Sequence, residues 1–163
     1  MKKKFIREKK HRLDADIYKG ERPIAFTLCM KDNNHFFINE ARFKIFEKTL
    51  IGELKNYNCS AYVYIFMPDH VHMILAGNDS EANIKKCLEM FKQKTGYFLS
   101  KNFTDFKWQK DYYDHILRSK ENLDMHIKYV LNNPVRAGIV EFWKQYKYKG
   151  STVYDLNEWA ANW

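Results

Sequence analysis

Apolar residues along this chain fall into two patterns, short near-continuous runs and longer stretches in which they recur every three or four positions. Pro23-Ile24-Ala25-Phe26-Thr27-Leu28-Cys29-Met30 is of the first kind and predicts a central strand, ended by the turn-forming Lys31-Asp32-Asn33-Asn34. Asn39 is suited to cap a helix, and Phe43, Phe46, Leu50 and Leu54 follow at helical spacing until Asn56-Tyr57-Asn58. Cys59 to Met67 and His70 to Ala76 read as two further strands, and the short Pro68-Asp69 link favours an antiparallel hairpin. Ser80 or Asp79 is expected to cap a second helix. Its buried stripe would hold Ile84, Leu88, Phe91 and Phe98, with Lys85, Lys86, Lys92 and Lys94 around the other sides.

The second half of the segment from Phe106 to Arg118 is assigned as a fourth strand. Ser119 then caps a helix carrying Leu123, Ile127, Val130 and Leu131, stopped by Pro134. Residues 135 to 163 read as irregular chain with short pieces of structure. The order strand, helix, strand, strand, helix, strand, helix predicts an α+β fold, a ferredoxin-like (split βαβ) antiparallel sheet packed by helices with an additional helix. No repeat or domain boundary interrupts it. The chain is taken as one domain over 1–163, with a basic arm over 1–20 and a less determined tail over 141–163.

Composition changes this picture in two ways. A hydrophobic fraction of 45% and an aromatic fraction of 17% in 163 residues argue for a folded globule. A formal charge of +8 predicts an anionic partner, nucleic acid first and a membrane surface second. Residues 2 to 12 hold seven Lys or Arg, either a solvated tail or an arm lying along a phosphate backbone. No apolar run is long enough to span a membrane, and no apolar segment follows the basic start, so no membrane association is expected. Cys29, Cys59 and Cys87 are too scattered for a zinc knuckle or a disulfide framework; reduced, mostly buried thiols in a cytoplasmic protein are expected.

Candidate chemistry begins with Met67-Pro68-Asp69-His70-Val71-His72. Strand side chains alternate between faces, so His70 and His72 project side by side while Val71 and Met73 point into a core. Two imidazoles placed like this can ligate one divalent metal, or they can be ordinary polar residues on a solvated face. On the third helix, Tyr129 and Asn133 stand four apart on one face beside the apolar stripe, and His126 lies on the same flank. A tyrosine in such a place can be a nucleophile, given a metal or base to activate its phenol.

Met67-Pro68-Asp69-His70-Val71-His72 followed by Tyr129-Val130-Leu131-Asn132-Asn133-Pro134-Val135-Arg136-Ala137-Gly138 resembles the HUH-type single-tyrosine transposases, more closely their REP-associated (RAYT) branch. Trp108-Gln109 and Tyr113-Asp114-His115-Ile116-Leu117-Arg118 resemble that branch as well, and the similarity runs over about residues 22 to 140. The first strand lacks a histidine that many members carry there. The resemblance implies metal ligands at His70, His72 and Asn133 for Mg²⁺ or Mn²⁺, and a nucleophile at Tyr129. It also implies cleavage and rejoining of single-stranded or hairpin DNA, by a monomer or by a homodimer that exchanges tyrosine helices. Arg118, Lys128 and Arg136 are candidate phosphate contacts, and Trp108 and Tyr112 candidate stacking platforms for bases. The rival expectation is a non-catalytic hairpin DNA- or RNA-binding module using an open sheet face, for which Tyr62, Tyr64 and Phe66 alternate on one strand.

Overall fold

The computed structural model describes residues 13–161 and 163, so the basic run over 2–12 lies outside the described residues. Five strands form one sheet: β1 (Ile24–Cys29), β2 (Cys59–Met67), β3 (His70–Gly77), β4 (Tyr113–Ile116) and the short β5 (Lys149–Gly150). Their order is β4-β1-β3-β2-β5 and every pairing is antiparallel. The first four strands thus take the ferredoxin-like order, with helix α1 (Glu40–Asn56) joining β1 to β2 and α2 (Ile84–Asn102) joining β3 to β4. Helix α3 (Lys120–Leu131) follows β4, then a single turn α4 (Asn133–Arg136) and, near the end, α5 (Leu156–Trp159).

Local chemistry explains most of these boundaries. Asn39 accepts a hydrogen bond from the Arg42 amide at 3.0 Å and Ser119 one from the Asn122 amide at 3.2 Å, each satisfying an N–H the helix cannot. Helix α2 departs from the sequence expectation. Asp79 accepts from the amides of Glu81 and Ala82, building a turn before the helix, and Asn83 is the residue that caps it through the Lys86 amide.

Both faces of the sheet are covered. On one, Phe26, Leu28, Tyr64, Phe66, Val71, Met73 and Leu75 meet the apolar stripes of α1 and α2. On the other, Val63, Ile65, Met67 and Ile74 meet Leu123, Ile127, Val130 and Leu131 of α3, with Tyr146 from the tail. Burial of each large apolar side chain stabilises the fold by about 1.5–3 kcal/mol, so α3 is anchored by its stripe and leaves its flanks for other work. The chain crowds to glycine where two backbones meet: a Cβ at Gly77 would come within 2.4 Å of the Gly20 carbonyl oxygen.

The alternation of Tyr62, Tyr64 and Phe66 does not survive folding. A bulge between Ala61 and Val63 shifts the register, so Tyr62 packs on the α3 side against Tyr154 while Tyr64 and Phe66 lie in the opposite core. Among the described residues, Tyr62, Tyr64 and Phe66 form no open aromatic sheet face of the kind the rival reading uses. The tail is also more ordered than its pattern suggests. β5 pairs with Tyr64 and Ile65, Thr152 exchanges hydrogen bonds with Ala61, and the Tyr146 hydroxyl donates to the Phe66 carbonyl at 2.5 Å. Among the described residues no helix is long and apolar enough to cross a membrane, and Cys29, Cys59 and Cys87 are free thiols.

Candidate active site

Strand register decides what surrounds the two histidines. His72 stands opposite Thr27 on β1 and Ile65 on β2, and His70 stands opposite Cys29 and Met67. Val71 and Met73 point into the α1/α2 core, which turns both imidazoles to the α3 side, as alternation predicts. Their Nε2 atoms lie 3.1 Å apart. Two nitrogens bonded to one ion at about 2.0–2.1 Å can be at most about 4.2 Å apart, so this pair can share a cation.

Each outer nitrogen is held. His70 Nδ1 contacts Asp69 Oδ1 at 2.6 Å, and His72 Nδ1 contacts Thr27 Oγ1 at 2.8 Å. The hydrogen bond from His70 holds the Asp69 carboxyl below its ordinary range, so Asp69 is an acceptor and Nδ1 of His70 carries the proton. In the neutral form of His70, Nε2 then offers a lone pair. Burial pushes the His72 imidazole down to about 3, with smaller contributions from the charges of His70 and Arg136, and this ring is neutral at pH 7. Thr27 can donate or accept. With the hydroxyl donating, His72 Nε2–H donates to His70; with it accepting, both lone pairs face one point. Outer-nitrogen partners of this kind orient metal-binding histidines. Among the described residues no group of three or more His, Cys, Asp or Glu could hold a metal, so any third protein ligand to a cation here would be of another type, such as an asparagine oxygen.

Asn133 sits where α3 gives way to α4. Pro134 has no N–H and cannot bond the carbonyl of Val130 four residues back. The Asn133 side chain replaces it, its Nδ2 donating to the Val130 oxygen at 3.3 Å. That fixes which end of the amide is oxygen, and Oδ1 accepts from Nη2 of Arg136 at 2.8 Å. Arg136 also donates from Nη1 to the Tyr129 carbonyl at 3.1 Å and lays its guanidinium over the Tyr129 ring, 3.6 Å from the centroid. Tyr129 is 58% exposed, so its phenol is accessible and not a core group. Pro134 does not stop the chain's helical course outright; it shifts it into the extra turn that carries Arg136.

The remaining candidates scatter. His126 pairs its ring with His115 of β4 at 5.7 Å, and burial followed by the charge of His115 lowers its pKa. Lys128 lies 5.6 Å above the Trp163 ring, which stacks on Trp143. Arg118 precedes α3, about 16 Å along the helix axis from Tyr129 at 1.5 Å per residue, in a cleft of about 610 Å³ with Arg22 and Lys120. Trp108 and Tyr112 stand on the other side of the sheet from the histidines. Trp108 packs among Phe37, Phe46 and Phe91 and donates its indole N–H to Thr95 at 2.8 Å, and Tyr112 is buried edge-on to Phe26. Both pack on the α2 side of the sheet: Tyr112 is buried, while Trp108 is half-buried, and the two line an open cleft with Lys92, Lys107 and Lys110. Asp69 and Thr27 were missed; Asp69 could have been read from its place beside His70, but Thr27 is 45 residues from His72.

The fold is a ferredoxin-like antiparallel sheet with a histidine pair on the face that α3 covers and an exposed tyrosine on that helix. The family model of IS200-like transposases matches residues 22–133, and the chain belongs to that family. The match takes in both histidines, Tyr129 and Asn133, and ends before Arg136. A Haemophilus influenzae protein described as a REP-associated tyrosine transposase is 22% identical over 154 residues, covering 84% of this chain and 86% of its own length. Among solved structures, a REP-associated tyrosine transposase bound to a REP hairpin superposes with a TM-score of 0.73 at 16% identity, covering 86% of this chain and 81% of that one. A chain from Deinococcus radiodurans R1, described as a transposase, reaches a TM-score of 0.50 at 16% identity, over 76% of this chain and 96% of its own.

Proposed function

We propose that this protein is a metal-dependent endonuclease and strand transferase acting on single-stranded or hairpin DNA through a covalent 5′-phosphotyrosine. The observation that carries it is the convergence of the His70 and His72 Nε2 atoms at 3.1 Å, each ring held from behind, on the sheet face that also bears α3 and Tyr129. Of the relatives, one was solved with a REP hairpin, which makes hairpin DNA the natural substrate class to test.

His70, His72 and Asn133 would hold Mg²⁺ or Mn²⁺, and a cation bound there supplies Lewis-acid polarisation of the scissile phosphate. Tyr129 attacks phosphorus through its phenol oxygen, which gives up its proton to solvent. The new bond is P–O(Tyr129), the bond broken is P–O3′, and the leaving oxygen takes a proton to become a 3′-hydroxyl. Attack by a 3′-hydroxyl on the phosphotyrosine reverses these changes and joins strands with no external energy source. The Tyr129 backbone is held on the sheet by Ile127 and Val130, so the phenol is delivered by a rigid element. Lys128 and Arg118 remain candidate phosphate contacts, and the free thiols suit a cytoplasmic setting.

Incubation of the protein with a library of single-stranded hairpins and Mn²⁺, followed by denaturing capture of protein-linked DNA, tests this directly. Covalent adducts with a free 3′ end are expected from the wild type and none from Tyr129→Phe or His70→Ala. Tight hairpin binding with no adduct from any form would make the protein a binding module instead.

A further inference from the structure

Arg136 makes three contacts at once, and all three fall on the residues the proposed reaction needs. One arm of the guanidinium donates to the Tyr129 carbonyl at 3.1 Å, the other to Asn133 Oδ1 at 2.8 Å, and its plane covers the Tyr129 ring at 3.6 Å. The planar fork explains this: only a guanidinium can bond two oxygens and stack on a ring in one pose. We propose that Arg136 is a positioning residue that holds Tyr129 and Asn133 in a resting arrangement and transfers to a DNA phosphate when the substrate arrives. This rests on the reading of the histidine pair and Tyr129 given above.

The reasoning is electrostatic. Asn133 Oδ1 is the protein oxygen proposed to complete a divalent site, and in this state it already faces a fixed positive charge. A second cation on the same oxygen would sit beside that charge, so guanidinium and metal compete for Asn133 in the absence of DNA. A phosphate changes the balance because it is the better bidentate partner for arginine and brings negative charge between the two cations. Arg136 moves from amide to phosphate, Asn133 Oδ1 becomes available, and the Tyr129 ring is uncovered. The protein is thereby kept from assembling its full cation site until DNA is present.

The two roles of Arg136 predict opposite signs for one substitution. In Arg136→Ala, affinity for Mn²⁺ without DNA, read from free-ion electron paramagnetic resonance, should rise by about fivefold or more. With saturating hairpin, formation of the phosphotyrosine adduct should slow by about 100-fold, since a donor to the reacting phosphate is gone. Arg136→Lys, which keeps the charge but not the fork or the plane, should fall between on both measures. Arg136 is exposed, so these variants should melt as the wild type does. Unchanged or weaker Mn²⁺ binding by Arg136→Ala, with a slowed adduct, would overturn the hand-over and leave Arg136 as a simple DNA contact. If neither form binds Mn²⁺ yet both form adducts at equal rates, the hand-over and the metal site fail together, while the nucleophile assignment stands.

Discussion

Thr27→Val isolates the geometry behind the histidine pair. Valine keeps the shape of threonine and its β-branched preference for the strand, so the change removes one hydroxyl and little else. That hydroxyl is 2.8 Å from His72 Nδ1, a neutral hydrogen bond worth about 1 kcal/mol, and its loss leaves a ring nitrogen without that partner. Together these should lower stability by about 1–2 kcal/mol, a fall in melting temperature of roughly 2–8 °C for a chain of this size. The effect on metal should be larger in proportion. Losing the outer partner of a ligating histidine costs about 10–100-fold in affinity, because tautomer and ring orientation are no longer fixed. Titration with Mn²⁺ and thermal melts of the wild type, Thr27→Val and Thr27→Ser would measure both. Serine keeps the hydroxyl and should retain the metal affinity. Equal Mn²⁺ affinity in all three proteins would refute the claim that Thr27 orients the His72 ring for metal binding.

Three further outcomes test other parts of the structure. The folded state keeps His72 neutral down to about pH 3 while the unfolded ring protonates near 6.5, so the unfolded state binds more protons between them; the stability of the wild type relative to His72→Gln should rise with pH across that window, by at most about 1.4 kcal/mol per pH unit, and equal urea midpoints for both throughout would contradict the burial argument. Gly77→Ala should destabilise by about 3 kcal/mol or more, seen as a lowered urea midpoint, because its Cβ would lie 2.4 Å from a backbone oxygen and 2.6 Å from Ala82 Cβ. Tyr18→Phe removes the 2.5 Å hydrogen bond to the fully buried Asp114, and a loss of about 1.5–3 kcal/mol is expected by chemical denaturation.

Much of the architecture was legible because its determinants are local. The stripes of α1 and α3, their Asn39 and Ser119 caps and the hairpin of β2 and β3 depend on residues two to four apart, and those spacings are printed in the chain. The side-by-side projection of His70 and His72 follows from the same rule; Asn133, expected on the helix of Tyr129, begins the next turn, after α3 has ended at Leu131. What periodicity cannot carry is register between distant segments. Thr27 meets His72 because β1 and β3 pair with one particular offset, chosen by how the two cores fill, and no local pattern encodes that offset. The bulge that parts Tyr62 from Tyr64, and the pairing of the two-residue β5 with Tyr64 and Ile65, likewise join segments far apart in the chain. An aromatic in a polar stretch looks the same in sequence whether it faces a base or a core. Only the tertiary structure could bury Tyr112, pack Trp108 half-buried beside it, and leave Tyr129 outside beneath a guanidinium. Periodicity therefore determined which residues share a face, and long-range packing decided which faces meet.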